Sequence, residues 1–380
     1  MTTDDHWQQL RAEMPVARNW AYLDHASVAP LPEPAAEAIR DWCRDAVENG
    51  VCNWSRWRAQ VEQARKLLAQ LLNVPTSEIA IIRNTTEGIG LVAEGLSWQP
   101  GDNVVVPAGE FPSNLYPWFN LQSRGVEVRL VTPHPDETLE EAASRVCDSK
   151  TRIVAVSWVD YATGRRQDPD EWCEIAHSHD ALLFLDAIQG LGALPIDLST
   201  TPVDFLAADG HKWLMGPEGA GTLYIRQERL NTLRPLGVGW NSVRHAGDFT
   251  RIDLDLKDNA GRYEGGSYNM AGIIGLRASL EFLARPGRTA VGERVLELQA
   301  RACERLEHAG CVIQSDRHPN RSSGIVGFAV PWLDARDVKR HCQQQGVVVN
   351  ERGGCVRISA HVWNDDSDID RLVDALEMTR

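Results

Sequence analysis

FLDAIQ at residues 184–189 and ADGHKW at residues 208–213 are the two stretches that decide the fold. The apolar run from Leu182 to Asp186 has the length and composition of a buried parallel strand. Asp186 would emerge at the carboxyl end of that strand, where open α/β sheets bind their ligands. Lys212 would emerge beside it, so the two stretches predict a carboxylate and a primary amine at one edge of a parallel sheet.

An amine and a carboxylate in this arrangement suit pyridoxal phosphate (PLP). Lys212 can form a Schiff base with the cofactor aldehyde, and Asp186 can keep the pyridine nitrogen protonated so that the ring accepts electrons from a substrate carbanion. Each residue also has an ordinary structural explanation. Asp186 could end a strand, and Lys212 could be a solvated surface lysine.

The spacing of the motifs around Lys212 resembles the cofactor-lysine region of the class V aminotransferase family. The matching stretches are DAIQ at 186–189, DGHKW at 209–213 and GPEGAG at 216–221, and the likeness extends from about Tyr22 to the C-terminus. The family includes cysteine desulfurases, selenocysteine lyases and isopenicillin N epimerase. The resemblance implies an α/β fold of the fold type I PLP-dependent transferases, with PLP as cofactor and an amino acid as substrate.

Strand and helix patterns alternate along the first part of the chain, which predicts a doubly wound sheet of about seven mostly parallel strands. A boundary at Arg285-Pro286-Gly287 begins a smaller α+β lobe. We expect residues 20–284 to form the large PLP-binding domain, and residues 1–19 and 285–380 to form the small one. The polar N-terminal helix is expected to pack on the small lobe.

Four residues are predicted to bind the cofactor phosphate. Thr85 and Thr86 follow a strand and open a helix, where free backbone amides make an anion site. A threonine followed by Glu87 is also a common helix-capping arrangement. His211 is a plausible phosphate donor beside Lys212. The resemblance implies that Ser267 reaches the phosphate of a neighbouring subunit, so a homodimer is expected.

Phe111 and Gln189 are expected to contact the cofactor ring. Phe111 stands where cysteine desulfurases have a histidine stacked on the pyridine ring; a phenyl ring can stack but cannot shuttle protons. Packing in the core would explain Phe111 equally well. Gln189 is expected to hydrogen-bond the ring hydroxyl, since Tyr161 replaces the nearby asparagine of the desulfurases and has no assigned role.

Two residues are expected to contact the substrate. Arg357, in the strand pattern VRIS at residues 356–359, resembles the arginine that binds the substrate carboxylate in the family. A surface ion pair is the alternative for Arg357. His25 lies in an extended segment that borders the substrate in relatives, although a lone histidine is more often structural.

The loop before Arg357 bears on the reaction type. Desulfurases that carry sulfur on the enzyme have a reactive cysteine on a mobile loop at this place, whereas here only residues 351–355 separate two strands. Cys355 begins the second strand, where a cysteine is usually an inert small hydrophobe. We therefore expect an aminotransferase, or else a C–S β-lyase or epimerase without a cysteine nucleophile.

Two other classes of protein are less favoured. A Rossmann enzyme lacks support because no G-x-G-x-x-G follows the first strand. A catalytically inactive PLP-fold binding protein is disfavoured because Lys212, Asp186 and Gln189 are all present.

Composition narrows the remaining choices. A net charge of −14 disfavours nucleic acid as a partner, and eight cysteines without a C-x-x-C pair suggest neither a metal site nor a disulfide framework. The first residues are acidic and polar rather than basic and apolar, and no stretch approaches the roughly 20 apolar residues of a membrane span. We therefore expect a cytoplasmic protein with no membrane contact.

Overall fold

A seven-stranded sheet forms the centre of the molecule. The structure is a computed structural model that describes residues 3–380; residues 1 and 2, part of the predicted N-terminal helix, lie outside the described residues.

The strands of all sheets in the described residues are β1 Ala21–Tyr22, β2 Ile79–Ile82, β3 Asn103–Pro107, β4 Glu127–Val131, β5 Thr151–Ser157, β6 Leu182–Asp186, β7 Phe205–Asp209, β8 Gly221–Ile225, β9 Val312–Ile313, β10 Ile325–Ala329, β11 Val347–Val348, β12 Asn350–Arg352 and β13 Cys355–Ser359. The helices are α1 Thr3–Ala12, α2 Glu33–Asn49, α3 Trp54–Leu72, α4 Thr85–Gly95, α5 Tyr116–Phe119, α6 Leu139–Val146, α7 Pro169–His177, α8 Met270–Ala284, α9 Arg288–His308, α10 Ala335–Gln344 and α11 Asp366–Glu377.

The order of strands in the large sheet is β2-β8-β7-β6-β5-β3-β4. Only β8 runs against its neighbours, and the other pairings are parallel. Strands β3, β7 and β8 are buried along their whole length because helices cover both faces of the sheet. The α/β fold class predicted from the sequence is therefore confirmed.

A four-stranded antiparallel sheet of order β12-β13-β10-β9 forms the smaller lobe. Helix α9 joins the two lobes, since Val291 and Val295 pack in the core of the large sheet while Leu298 and Leu306 pack in the core of the small one. Apolar residues at helical spacing on one helix therefore serve two cores in turn.

The N-terminal segment contacts both lobes: Leu10 and Met14 pack in the core of the large sheet, whereas the strand pairings and the ion pair described next are with the small lobe. Strand β1 pairs in parallel with β11, and Asp24 forms a bridge to Ser359, so residues 21–24 add to the sheets of the small lobe. Arg11 of α1 contacts Asp368 of α11 at 2.7 Å. The predicted domain division stays a prediction, but this strand pairing would move its first boundary from residue 20 to about residue 25.

Candidate active site

The carboxyl ends of β6 and β7 bring together the two residues that decided the sequence interpretation. Asp186 is the last residue of β6 and pairs with Ala207 of the neighbouring strand β7. Lys212 follows the end of β7 by three residues. The carboxylate of Asp186 is buried, and its Oδ1 accepts a hydrogen bond from the Ile188 N–H at 3.1 Å.

Burial shifts the proton affinity of both groups toward neutral pH. It lowers the pKa of Lys212 to about 8, against the opposing effect of the Asp186 charge. It raises the pKa of Asp186 to about 6, and the Ile188 N–H and the Lys212 charge oppose that rise. A fraction of the molecules therefore has an uncharged Lys212 amine at neutral pH. The uncharged amine is the form that acts as a nucleophile or a base.

The backbone on either side of Lys212 is held tightly. A Cβ atom at Gly210 would lie 2.5 Å from the carbonyl oxygen of Ala220, so only glycine fits there. On the other side, the Trp213 carbonyl accepts a hydrogen bond from Nε2 of His361 at 2.9 Å. The glycine two residues before Lys212 is therefore required for a steric reason.

Helix α4 begins next to this edge. Its N-cap is Asn84, whose side chain accepts from the Glu87 N–H at 2.9 Å, so the capping arrangement starts one residue before the threonines. Thr85 Oγ1 accepts from the Asp209 N–H at 3.0 Å, which ties the helix to the end of β7. The backbone N–H groups of Thr85 and Thr86 precede the first helical hydrogen bond and stay available to an anion.

The Phe111 ring lies over the lysine. It is 42% exposed, which argues against packing in the core, and its centroid lies 5.7 Å from Lys212 Nζ. Tyr161 packs edge-on against it, with ring centroids 5.2 Å apart. The two aromatic rings therefore lie together on one side of Lys212.

The Gln189 amide is largely occupied by protein partners. Its Nε2 donates to the Ala26 carbonyl at 3.0 Å, and its Oε1 accepts from Trp213 Nε1 at 3.0 Å. One amide hydrogen remains for a ligand. Its contact with the cofactor hydroxyl stays a prediction, and the observed bonds make Gln189 a link between Ala26 and the lysine loop.

His211 and Ser267 lie apart from each other. His211 follows β7, and its Nδ1 lies 2.9 Å from Asp209 Oδ2. Ser267 is exposed and lines a surface cavity together with Glu87 and Gly90 of α4. No hydrogen bond joins Ser267 to the other candidate residues among residues 3–380, and its contact with the phosphate of a neighbouring subunit stays a prediction.

Arg357 is buried rather than part of a surface ion pair. Its Nη1 donates to the Tyr161 carbonyl at 2.6 Å, and its Nη2 lies 3.2 Å from Asp24 Oδ1 and 2.7 Å from Ser27 Oγ. Its Nε has no protein partner among the described residues. Sequence reasoning missed Asp24, although a carboxylate inside the apolar stretch that begins at Trp20 was a usable signal.

The structure buries His25 in the core instead of exposing it beside Lys212. Its ring is completely buried against Trp213, His361 and Trp363, and Nδ1 donates to the Ser359 carbonyl at 2.9 Å. Burial, with the nearby His361, holds the pKa of His25 well below its usual range. His25 packs behind the lysine loop, because the pairing of Asp24 with Ser359 turns the next side chain inward.

The donor set fits PLP. A desolvated primary amine can hold an aldehyde, a buried carboxylate can pair with a protonated ring nitrogen, and an amide-rich helix start can bind a phosphate. The Phe111 ring supplies an apolar face for stacking.

The sequence model described as Aminotransferase class-V matches residues 21–372. The chain belongs to the class V aminotransferase family. It is 32% identical to a probable cysteine desulfurase of Methanothermobacter thermautotrophicus, over 99% of this chain and 98% of that protein. A cysteine desulfurase of Escherichia coli strain SE11 is 29% identical, over 97% of each.

Solved structures similar to this one also include a cysteine desulfurase and a C–S lyase. The apo structure of a cysteine desulfurase from Thermococcus onnurineus NA1 has a TM-score of 0.87 and 27% identity, covering 98% of this chain and 97% of that one. A complex of the cystine C–S lyase C-DES with its product cysteine persulfide has a TM-score of 0.88 and 25% identity, covering 96% and 98%. This protein is thus a PLP-dependent enzyme of the class V family. Within residues 3–380 no helix is long and apolar enough to cross a membrane.

Proposed function

We propose that this class V enzyme breaks the Cβ–S bond of a cysteine-derived amino acid by elimination, without carrying sulfur on Cys355. The observation that supports this proposal is the hairpin before Arg357. Strands β12 and β13 are paired up to Arg352 and Cys355, and only Gly353 and Gly354 close the turn, with φ of 59° and 80°. Such a two-residue turn is fixed by its strands and leaves no segment able to swing.

The site residues would divide the work of elimination. When bound, PLP withdraws electrons from Cα of the amino acid attached to it. Lys212 would hold the cofactor and, once displaced by substrate, take the proton from Cα as its uncharged amine. Asp186 would keep the ring nitrogen protonated. Phe111 would stack on the ring without taking part in proton transfer.

The substrate carboxylate is assigned to Arg357. Its Nε has no protein partner within the described residues, and Asp24 is the carboxylate it already contacts. A guanidinium can bind two carboxylates through different N–H groups, so Asp24 would orient Arg357 while the substrate takes the remaining donors.

Elimination and desulfuration leave different products, which makes the proposal testable. Elimination breaks Cα–H and Cβ–S, and one water then converts the three-carbon product to pyruvate and ammonia; the sulfur leaves as hydrogen sulfide from cysteine or as cysteine persulfide from cystine. Attack of an enzyme thiolate on the substrate sulfur instead leaves alanine and an enzyme persulfide. Purified holoenzyme should therefore give one hydrogen sulfide for each pyruvate from L-cysteine, and one persulfide for each pyruvate from L-cystine.

Cys355→Ala is the decisive variant. Side chains two residues apart in a strand share a face, so Cys355 stands on the Arg357 side of the sheet. We expect this variant to stay within about twofold of the wild-type rate, because the proposed elimination uses no enzyme thiol and a small substitution outside a buried network changes stability by only about 0.5 kcal/mol. Cys52→Ala, at an exposed cysteine, is the matched control. Loss of sulfur release in Cys355→Ala alone, with alanine as the wild-type product, would contradict the proposal.

Transamination, the reaction predicted from the sequence, is measured in the same samples. It would use the same Lys212 and Asp186 but would move the amino group to an added 2-oxo acid. If amine transfer proceeds faster than pyruvate formation with every sulfur amino acid tested, transamination is the better assignment.

A homodimer is also proposed. Ser267 is exposed, and the segment preceding it exposes large apolar side chains, with Phe249 at 73%, Ile252 at 89% and Leu254 at 71%. A second copy of the chain would cover them. Sedimentation should give twice the chain mass; a fully active monomer would contradict this proposal. The cytoplasmic location stays a prediction.

A further inference from the structure

A second buried carboxyl lies beside Asp186. Glu110 follows β3 and is only 8% exposed. Its Oε1 accepts from the Ser157 N–H at 2.6 Å, and its Oε2 accepts from the Ser157 hydroxyl. Ser157 is the last residue of β5 and pairs directly with Asp186 of β6. Because partners in adjacent strands direct their side chains to the same face, Ser157 brings Glu110 next to Asp186.

The charges around this pair are unequal. Asp186 faces Lys212, whereas no Lys, Arg or His lies within ion-pair distance of Glu110 in the described part of the chain. On its outer side Glu110 shares a cavity of about 330 Å³ with Asp160 and Arg165. Burial raises the pKa of Glu110 to about 7; the Ser157 hydroxyl and N–H oppose the rise, and the Asp186 charge adds to it. Glu110 is thus the carboxyl of the pair that keeps its proton longer.

The cavity supplies a path for that proton. Glu110 and Ser157 both line it, while Asp186 is not among its lining residues. Loss of the proton breaks the O–H bond of the Glu110 carboxyl and passes the proton to water in the cavity. No oxidant, reductant or other reactant is needed.

We propose that Glu110 is a positioning residue for Asp186: it is the neutral member of a buried carboxyl pair, and its ionisation adds a second negative charge that strengthens proton binding on the cofactor beside Asp186. The inference rests on the proposed pairing of Asp186 with the ring nitrogen. Two carboxyls that interact this closely titrate as a pair, so the effect of Glu110 should extend to the bound cofactor.

Glu110→Gln is the direct test, and Glu78→Gln is its matched control. Glu78 is also 8% exposed, and burial raises its pKa as well, but it accepts from the Gln227 N–H at the far side of β2, away from Asp186. In cofactor-free protein, infrared titration of the protonated carboxyl signal should show a group losing its proton near pH 7 in the wild type and in Glu78→Gln, and not in Glu110→Gln.

In the holoenzyme, the pH midpoint of the cofactor absorption change should move down by about one unit in Glu110→Gln, a tenfold loss of proton affinity, because one nearby charge is removed. Glu78→Gln should leave it in place. An unmoved midpoint in Glu110→Gln, or no carboxyl titrating between about pH 6 and 8 in the cofactor-free wild type, would overturn the inference.

Two further variants separate the possible failures. If Asp186→Asn moves the pH midpoint of the cofactor absorption change and Glu110→Gln does not, the role proposed for Glu110 is wrong and that of Asp186 stands. If neither variant moves this midpoint, the pairing of Asp186 with the ring nitrogen is itself contradicted. Should Glu110→Gln not fold, Ser157→Ala keeps the carboxyl and removes one donor to it, so the infrared titration should move to higher pH. A titration unchanged in Ser157→Ala would contradict the proposed link.

Discussion

Two buried groups of charges in this enzyme are built in opposite ways. Glu264 is saturated: its carboxylate accepts from both terminal nitrogens of Arg65, from the Ile81 N–H at 2.6 Å and from the Tyr268 hydroxyl at 2.5 Å. Asp186 accepts one backbone hydrogen bond. The Lys212 ammonium interacts with the negative charge of Asp186 but has no hydrogen-bond partner of its own in the described part of the chain.

The difference shows what each group is for. A fully bonded pair holds structure, because every lone pair and proton already has a partner. The Glu264 network fastens the glycine-rich segment that contains Ser267 to α3 and β2. An under-bonded pair retains capacity for a ligand, and it is here that the pKa values move toward neutrality.

The comparison is tested most severely at Lys212. Lys212→Ala should lower turnover by a factor of about 10⁴ or more, since both the attachment of the cofactor and the Cα base are removed. Steady-state turnover measures the loss, and mass spectrometry after borohydride reduction locates the modified lysine. Lys66→Ala, at an exposed lysine on α3, should behave like the wild type. Cofactor still reduced onto a lysine in Lys212→Ala would refute the assignment.

The saturated pair should show the reverse pattern. Glu264→Gln leaves Arg65 without its buried partner charge, so the free energy of unfolding should fall by about 3–5 kcal/mol. Urea unfolding of the cofactor-free protein measures it. Replacing both members, with Arg65→Met and Glu264→Leu, should recover part of the loss. A variant as stable as the wild type but with an altered pH profile of activity would break the distinction between the two pairs.

Stability should depend on pH through two buried carboxyls, Glu110 and Asp186. The pKa of Glu110 is raised from 4.5 to about 7 and that of Asp186 from 3.8 to about 6, each by burial. The folded protein therefore holds protons that the unfolded chain releases, so this stability is complete below about pH 4 and is lost as pH rises to about 7.

Glu110→Gln isolates the contribution of one of these groups. Relative to the wild type it should gain about 3 kcal/mol between pH 4 and pH 8 in cofactor-free protein, following 1.36 kcal/mol for each unit of pKa. Urea unfolding at the two pH values gives the difference. A constant difference at both pH values would mean that folding does not raise the pKa of Glu110.

Arg357→Lys is expected to have the smallest of these effects. A lysine keeps the charge but loses the two-pronged contact, which corresponds to about 1.5–3 kcal/mol, or a 10- to 100-fold rise in KM. Titration of PLP into the cofactor-free protein is the control and should show unchanged affinity. Equal losses of substrate and cofactor binding would indicate that the contacts of Arg357 with Asp24 and Tyr161 serve the fold alone.

Local patterns were enough to predict most of the architecture. The strand at Leu182–Asp186 has the predicted bounds, because a short run of apolar residues records that both faces of the strand are buried. Helix α7 was missed although Asp168 caps it and Pro169 opens it. Its nine residues are too few for a clear period, so the capping signal had to suffice.

The sequence by itself determined that a lysine and an aspartate stand at the ends of adjacent strands, since strand ends follow from runs of apolar residues. Only the tertiary structure decided what surrounds them. The turn of His25 into the core, the pairing of Arg357 with Asp24 and the approach of Glu110 to Asp186 each join residues far apart in the chain. Such contacts depend on how strands and lobes pack, and a local pattern in the sequence carries no record of that packing.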